Sequence, residues 1–177
     1  MRLYIFIPVV IFLISNFEVI GQNQAEKVII KNGSIEPLVQ LTEGISPADG
    51  YKKLNEWVNY NYKNADAVIG SSIENKFLRF TGITPNFATS FGYVYDLEYT
   101  IRVEFKDGKY RLTVEQLRSG NNGIFATFDL DDYYKSNGEP RKAYQSFTDG
   151  IEESLNRINL SIFKYLTSQT EKADGNW

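Results

Sequence analysis

"YTIRVEFKDGKYRLTVEQL", Tyr99 to Leu117, is the most regularly alternating stretch of the chain. Tyr99, Ile101, Val103 and Phe105 are apolar, and Thr100, Arg102 and Glu104 between them are polar. That two-residue period belongs to a strand with one buried and one wet face. Asp107-Gly108 then supplies a two-residue hairpin turn, a dipeptide favoured where a type I′ turn holds both central residues at positive φ. Folding about that turn sets Lys106 against Lys109. On one face Phe105 comes opposite Tyr110, Val103 opposite Leu112 and Ile101 opposite Val114; on the other, Glu104 opposes Arg111 and Arg102 opposes Thr113. A slip of one residue would turn every one of these apolar side chains to water, so burial specifies the register.

Upstream, the alternation extends back through Leu97 to Tyr95, and "TPNFATSFG" (84–92) reads as a connecting loop. Before it, "AVIGSSI" and "KFLRFTGI" are rich in β-formers and read as a second hairpin joined at Glu74 and Asn75. "SPADGYKKLNEWVNYNYKN" starts a helix, with Ser46 as N-cap, Pro47 in the first position and Asp49 three residues after the cap. Tyr51, Leu54, Trp57, Val58 and Tyr62 make its apolar stripe. "EKVIIKNG" (26–33) reads as a first strand centred on Val28 to Ile30 and closed by Asn-Gly.

Downstream, Ser146 and Asp149 form a capping-box signal for a last helix. Its apolar side is Phe147, Ile151, Leu155, Ile158, Ile162, Phe163 and Leu166. Between the first hairpin and this helix lie residues 119–145, longer than the ~12 to 15 residues of most structureless connections, so the segment is either partly ordered or functional. The order strand, helix, four strands, helix predicts an α+β domain in two layers: a five-stranded antiparallel sheet with two helices on one face and water on the other.

The opening "MRLYIFIPVVIFLISNFEVIGQ" places Arg2 before an apolar run from Leu3 to Ile14, the pattern of a secretory leader. Cleavage is expected between Gly21 and Gln22, giving a leader over 1–21, one domain over 22–170 and a polar tail over 171–177. No later apolar run is long enough for a transmembrane segment, which needs ~20 residues. The expected location is therefore outside the cytoplasm, periplasmic or secreted.

The chain has no cysteine and no histidine. It cannot hold disulfides, a lipid-bearing cysteine, a Cys-His or Ser-His-Asp mechanism, or a usual zinc site. Neither a phosphate loop nor a dinucleotide fingerprint is present; "GNNG" at 120–123 opens no helix. No cofactor and no catalytic residue is assigned, and a formal charge of −3 disfavours nucleic acid as a partner.

Gly50-Tyr51 and Trp57-Val58, "FLRFTG", and the opening stretch with its "KDGKYR" together resemble a family of exported bacterial domains of unknown function described as having a TATA-binding-protein-like fold. The resemblance covers roughly residues 26 to 118 and the last helix in outline. It implies a curved five-stranded antiparallel sheet under two helices, and no activity. Many members carry a lipoprotein cysteine that this chain lacks, so lipid anchoring is not expected here.

Two sets of residues remain as candidate sites. Glu98, Thr100, Arg102, Glu104, Arg111, Thr113 and Glu115 occupy the wet sheet face, which reads as a solvated ladder of weak ion pairs or as a docking surface for an envelope protein. Asp129, Asp131, Asp132, Tyr133 and Tyr134 pair carboxylates with aromatics, which suits a glycan, and otherwise form a solvated turn. Their spacing lacks the glycine and closing acid of a calcium loop. A non-enzymatic exported interaction domain is the leading reading. The alternative is a carbohydrate-binding domain or a carboxylate-dependent glycan-acting enzyme using Asp129, Asp131, Asp132 or Glu139.

Overall fold

The computed structural model describes residues 24–168. The expected leader, its cleavage point and the polar tail lie outside the described residues. The hairpin that organised the sequence reading is the centre of the sheet: β6 (Tyr93–Lys106) pairs antiparallel with β7 (Lys109–Asn121). Every expected pair is in place, from Phe105 opposite Tyr110 to Arg102 opposite Thr113. In the turn, Gly108 takes positive φ (69°) and Asp107 does not, so the glycine alone carries the left-handed geometry.

A bulge interrupts the ladder between Thr100 and Ile101, pairing Thr100 with Gln116 and leaving Glu115 over. Its cause is visible in the sequence of β7. Strict alternation from Tyr110 through Leu112 and Val114 would carry Gln116 and Arg118 into the core. One inserted residue reverses the phase and turns Leu117 inward instead, opposite Tyr99.

β5 (Phe77–Ser90) runs along β6 through the stretch expected to be a loop, and β4 (Ile69–Ile73) forms the edge beyond it. The β5–β6 register shifts between Thr84 and Ala88, where Pro85 has no N–H to give to a ladder. Asn86 sits there at φ 53° and donates its N–H to Asp96 Oδ1 at 2.8 Å. Ala67 and Val68, expected to begin a strand, instead belong to a helical turn, α2 (Ala65–Val68), capped by Asn64.

The first strand also differs. The segment that joins the sheet is β3 (Leu38–Leu41), beside residues 109–112 of β7. Ile30–Lys31 (β1) pairs only with Ser34–Ile35 (β2), about the Asn32-Gly33 turn. Val28 is buried against the last helix, where Asn156 accepts its N–H at 2.8 Å and donates to its carbonyl at 3.0 Å. β8 (Ile124–Thr127) returns along residues 118–121 of β7 after an Asn122-Gly123 turn. The main sheet thus has six strands rather than five, with β3 and β8 sharing one edge of β7.

α1 (Pro47–Asn61) begins as expected: Ser46 Oγ accepts from the Asp49 N–H at 3.2 Å and donates to Asp49 Oδ2 at 2.6 Å. α3 (Gln145–Thr167) begins differently. Ser146 lies inside the helix and its hydroxyl donates to the Thr89 carbonyl of β5 at 2.9 Å. The chain enters α3 through a 3-10 turn, Lys142–Tyr144, that already supplies helical geometry. α1 and α3 pack on one face of the sheet, and Leu54, Trp57, Phe80, Ile101, Ile151 and Ile162 belong to one buried cluster. Each fully buried aliphatic side chain contributes roughly 1.5–3 kcal/mol. The long connection is ordered, holding β8, a 3-10 turn at Leu130–Tyr133 and a bridge between Tyr134 and Pro140.

Candidate functional site

The outward side chains of β7, β6, β5 and β4 form rows across the sheet. In one row Arg111, Glu104, Phe77 and Ile73 lie side by side; in the next stand Thr113, Arg102, Arg79 and Ser71. Glu104 is the hinge of the first row. Its Oε1 accepts from Arg102 Nη2 at 3.3 Å and its Oε2 from Arg111 Nε at 2.9 Å. Arg102 also lies 4.0 Å above the Phe77 ring, a cation–π contact, and its Nε is buried with no acceptor among the described residues. Arg79 pairs with the bulged Glu115, and Arg118 Nη1 with Glu98 Oε1 at 2.6 Å. Thr81 and Thr100 share a hydroxyl hydrogen bond of 3.0 Å between these pairs.

Four arginines therefore meet three glutamates on a face of a chain whose net charge is −3. Exposed pairs of this kind contribute about 0–1 kcal/mol each, so the ladder does little to hold the fold. Around it stand aliphatic side chains half open to water: Val39, Leu41, Ile73 and Ile83. At the Asp107-Gly108 end, Val39, Lys76, Glu104, Lys106, Lys109 and Arg111 line a depression of about 340 Å³. Its cations outnumber its single carboxylate.

Arg102, Glu104, Arg111 and Thr113 are thus brought together on the sheet face, as the register required. Arg79, Arg118 and the aliphatic rim were missing from the sequence reading. Arg79 was legible, because it alternates with Leu78 and Phe80; Arg118 was hidden by the bulge that reverses β7.

The second set lies elsewhere, and no hydrogen bond or ion pair joins the two sets among the described residues. Asp129 caps the 3-10 turn, accepting from the Asp131 N–H at 3.1 Å, and the Asp131 carboxylate packs against Gly33 of the β1–β2 turn. Asp132 is exposed beside Tyr133. Tyr134 is buried, and Tyr133 stacks on Phe147 at 4.8 Å with its rings nearly parallel. Burial pushes the hydroxyls of both tyrosines above their ordinary pKa, with neighbouring Tyr144 and Asp132 adding to the effect at Tyr133. Glu139 is drawn down by the hydrogen bond that Lys135 donates to it at 3.0 Å. Asp129 caps and Glu139 pairs locally, and one face of the Tyr133 ring is covered. No group of three or more acidic residues within metal-holding reach occurs among the described residues. No helix among them is long and apolar enough to cross a membrane.

Residues 42–119, from the end of β3 into β7, match the family model described as a domain of unknown function (DUF4468) with TBP-like fold. A solved DUF4468 family protein from Bacteroides ovatus superposes with a TM-score of 0.62 at 14% identity, over 82% of this chain and 93% of that one. A solved TBP-like protein from Parabacteroides distasonis gives a TM-score of 0.62 at 15% identity, over 81% and 99%. At such identities the likeness is one of fold. No curated protein matches the chain.

Proposed function

The chain belongs, through residues 42–119, to the DUF4468 family of TBP-like fold, and on that premise we propose that it is an exported, non-enzymatic docking domain. The open sheet face receives a protein partner in the bacterial envelope. The carrying observation is the depression at the Asp107-Gly108 end, where Lys76, Lys106, Lys109 and Arg111 surround Glu104 beside the exposed Val39. In a chain of net charge −3, this local excess of cations favours an acidic segment of the partner, and Val39 offers it an apolar contact. Export rests on the leader-like pattern of residues 3–14.

Two measurements test the reading. Lys76→Ala with Lys106→Ala removes two exposed cations of the depression while leaving the core intact. The variant should keep its urea midpoint and lose capture of the partner from envelope extracts; unchanged capture would overturn the sheet-face assignment. N-terminal sequencing of the chain recovered from the periplasm should begin at Gln22, and recovery of the full chain from cytoplasm alone would overturn export.

A further inference from the structure

The end of the sheet opposite the docking depression carries a second surface with different chemistry. Among the described residues five non-glycine residues have positive φ: Asn32, Asn75, Asn86, Asn122 and Phe91. Four are asparagine, whose short side chain tolerates the left-handed region, whereas a bulky aromatic there is a genuine outlier. Phe91 occupies the first central position of the β5–β6 turn, at φ 51°, with Gly92 at 79°. The equivalent turns Asn32-Gly33 and Asn122-Gly123 use asparagine. The Phe91 ring meets Tyr144 edge-on, yet the residue is 71% exposed. Its side chain is disfavoured by its own backbone and wins little burial in return, so folding alone does not account for it.

Phe91 is not isolated. Tyr93, Val94 and Ile124 are exposed at the same end, and Ile124 reaches 80%. Asn121 Nδ2 donates to the Val94 carbonyl at 2.8 Å, joining the β5–β6 and β7–β8 tips. Residues 90–95 and 121–125 contain no charged side chain. The 3-10 turn that contacts Phe91 through Tyr144 begins at Lys142 and is preceded by Arg141, both exposed; Arg141 Nε donates to the Tyr134 carbonyl at 3.0 Å, and Lys142 has no acidic partner among the described residues.

We propose that the paired tips form a membrane-contacting knob, with Phe91, Tyr93, Val94 and Ile124 entering the interface of a phospholipid bilayer and Arg141 and Lys142 meeting its phosphates. An exposed, charge-free hairpin tip lacks the directional groups that specify a protein groove. An aromatic and aliphatic tip joined through Tyr144 to a turn carrying two cations matches the layering of a lipid surface, apolar inside and anionic outside. The inference is independent of the sheet-face reading and uses other residues.

The chain has no cysteine, so Tyr93→Cys gives one thiol for an environment-sensitive dye. Vesicles of phosphatidylethanolamine and phosphatidylglycerol are the probe. Because the apolar run Leu3–Ile14 can itself bring the chain to a bilayer, the readout is where the dye sits. Lipids brominated on their acyl chains should quench dye at position 93 and not dye at Lys106→Cys, at the opposite end of β6. Phe91→Asn with Ile124→Thr restores the asparagine used in the sister turns, so it folds. It should weaken the quenching about tenfold, as expected for loss of a buried aromatic and an aliphatic side chain. Dye at 93 that stays in water, or quenching unchanged in the double variant, would overturn the proposal. So would lipid-independent self-association lost in that variant, which would assign the knob to a second copy of the chain.

Discussion

Tyr110 donates its hydroxyl to Asn159 Oδ1 at 2.6 Å, joining the first inward residue of β7 to the middle of α3. Both residues are buried, and Asn159 passes the contact on by donating to the Glu26 carbonyl at 2.8 Å. Sheet, helix and the N-terminal segment are thereby held by one amide. Tyr110→Phe leaves Asn159 Oδ1 buried without a donor and should lower stability by about 1–3 kcal/mol. The measurement is the urea midpoint of the variant against the parent, at unchanged slope.

Gly150 tests the contact of α3 with β5. A Cβ built there would lie 2.2 Å from the Phe87 carbonyl oxygen, a backbone atom that cannot step aside alone. Alanine is a better helix former than glycine by roughly 1 kcal/mol, so propensity argues for stabilisation. Overpacking against backbone, about 1–3 kcal/mol, wins, and Gly150→Ala should lower stability by a net of up to about 2 kcal/mol and the thermal midpoint with it. A raised midpoint would show that the helix can move off the strand.

Tyr62 and Tyr99 share a hydroxyl hydrogen bond of 2.7 Å within the core. Desolvation raises both pKa values above the ordinary tyrosine value, the Tyr99 charge adding to the effect at Tyr62, and burial alone does the same at Tyr110. The folded state therefore binds these protons more tightly than the unfolded chain. Their stabilisation is complete below the unfolded value of ~10 and is lost as pH rises beyond it, at up to ~1.4 kcal/mol per pH unit for each tyrosine. Tyrosinate absorbance should show these three ionising only together with unfolding; early, reversible ionisation of all twelve tyrosines would contradict their burial.

Phe91→Asn should raise stability by about 1 kcal/mol, since it relieves a left-handed aromatic. Chemical denaturation of the single variant reads this directly. A loss of stability would mean that the contact with Tyr144 outweighs the backbone term.

The central hairpin was legible because between Ile101 and Val114 one face is apolar and the other polar, so pattern, turn and register agree. The edges were not. In "LVQL", Gln40 points inward, 2% exposed, and takes the Glu26 N–H on its Oε1. A polar residue in a core position, satisfied by a partner far away in sequence, erases the alternation that would have marked β3. The loop expected at 84–92 concealed the second half of β5, because Pro85 and Asn86 carry turn chemistry yet serve a bulge inside a long strand. For the site, the charges beside the turn were placed correctly. Arg118 and the rim residues needed the bulge and the edge strands, which depend on pairing rather than on local pattern. Tyr133 of the acidic segment read as a ligand platform because its packing against Phe147 and Tyr144 lies in tertiary structure.

The docking account turns on which face of the domain meets another protein. A photo-reactive amino acid at Val39, on the rim of the basic depression, is compared in living cells with one at Leu160, exposed on α3. The account predicts one discrete protein adduct from position 39, absent from position 160, lost with Lys106→Glu and Lys109→Glu, and mapping by mass spectrometry to an acidic segment of the partner. Adducts from position 160 alone, or a position 39 adduct indifferent to both charge reversals, would contradict it.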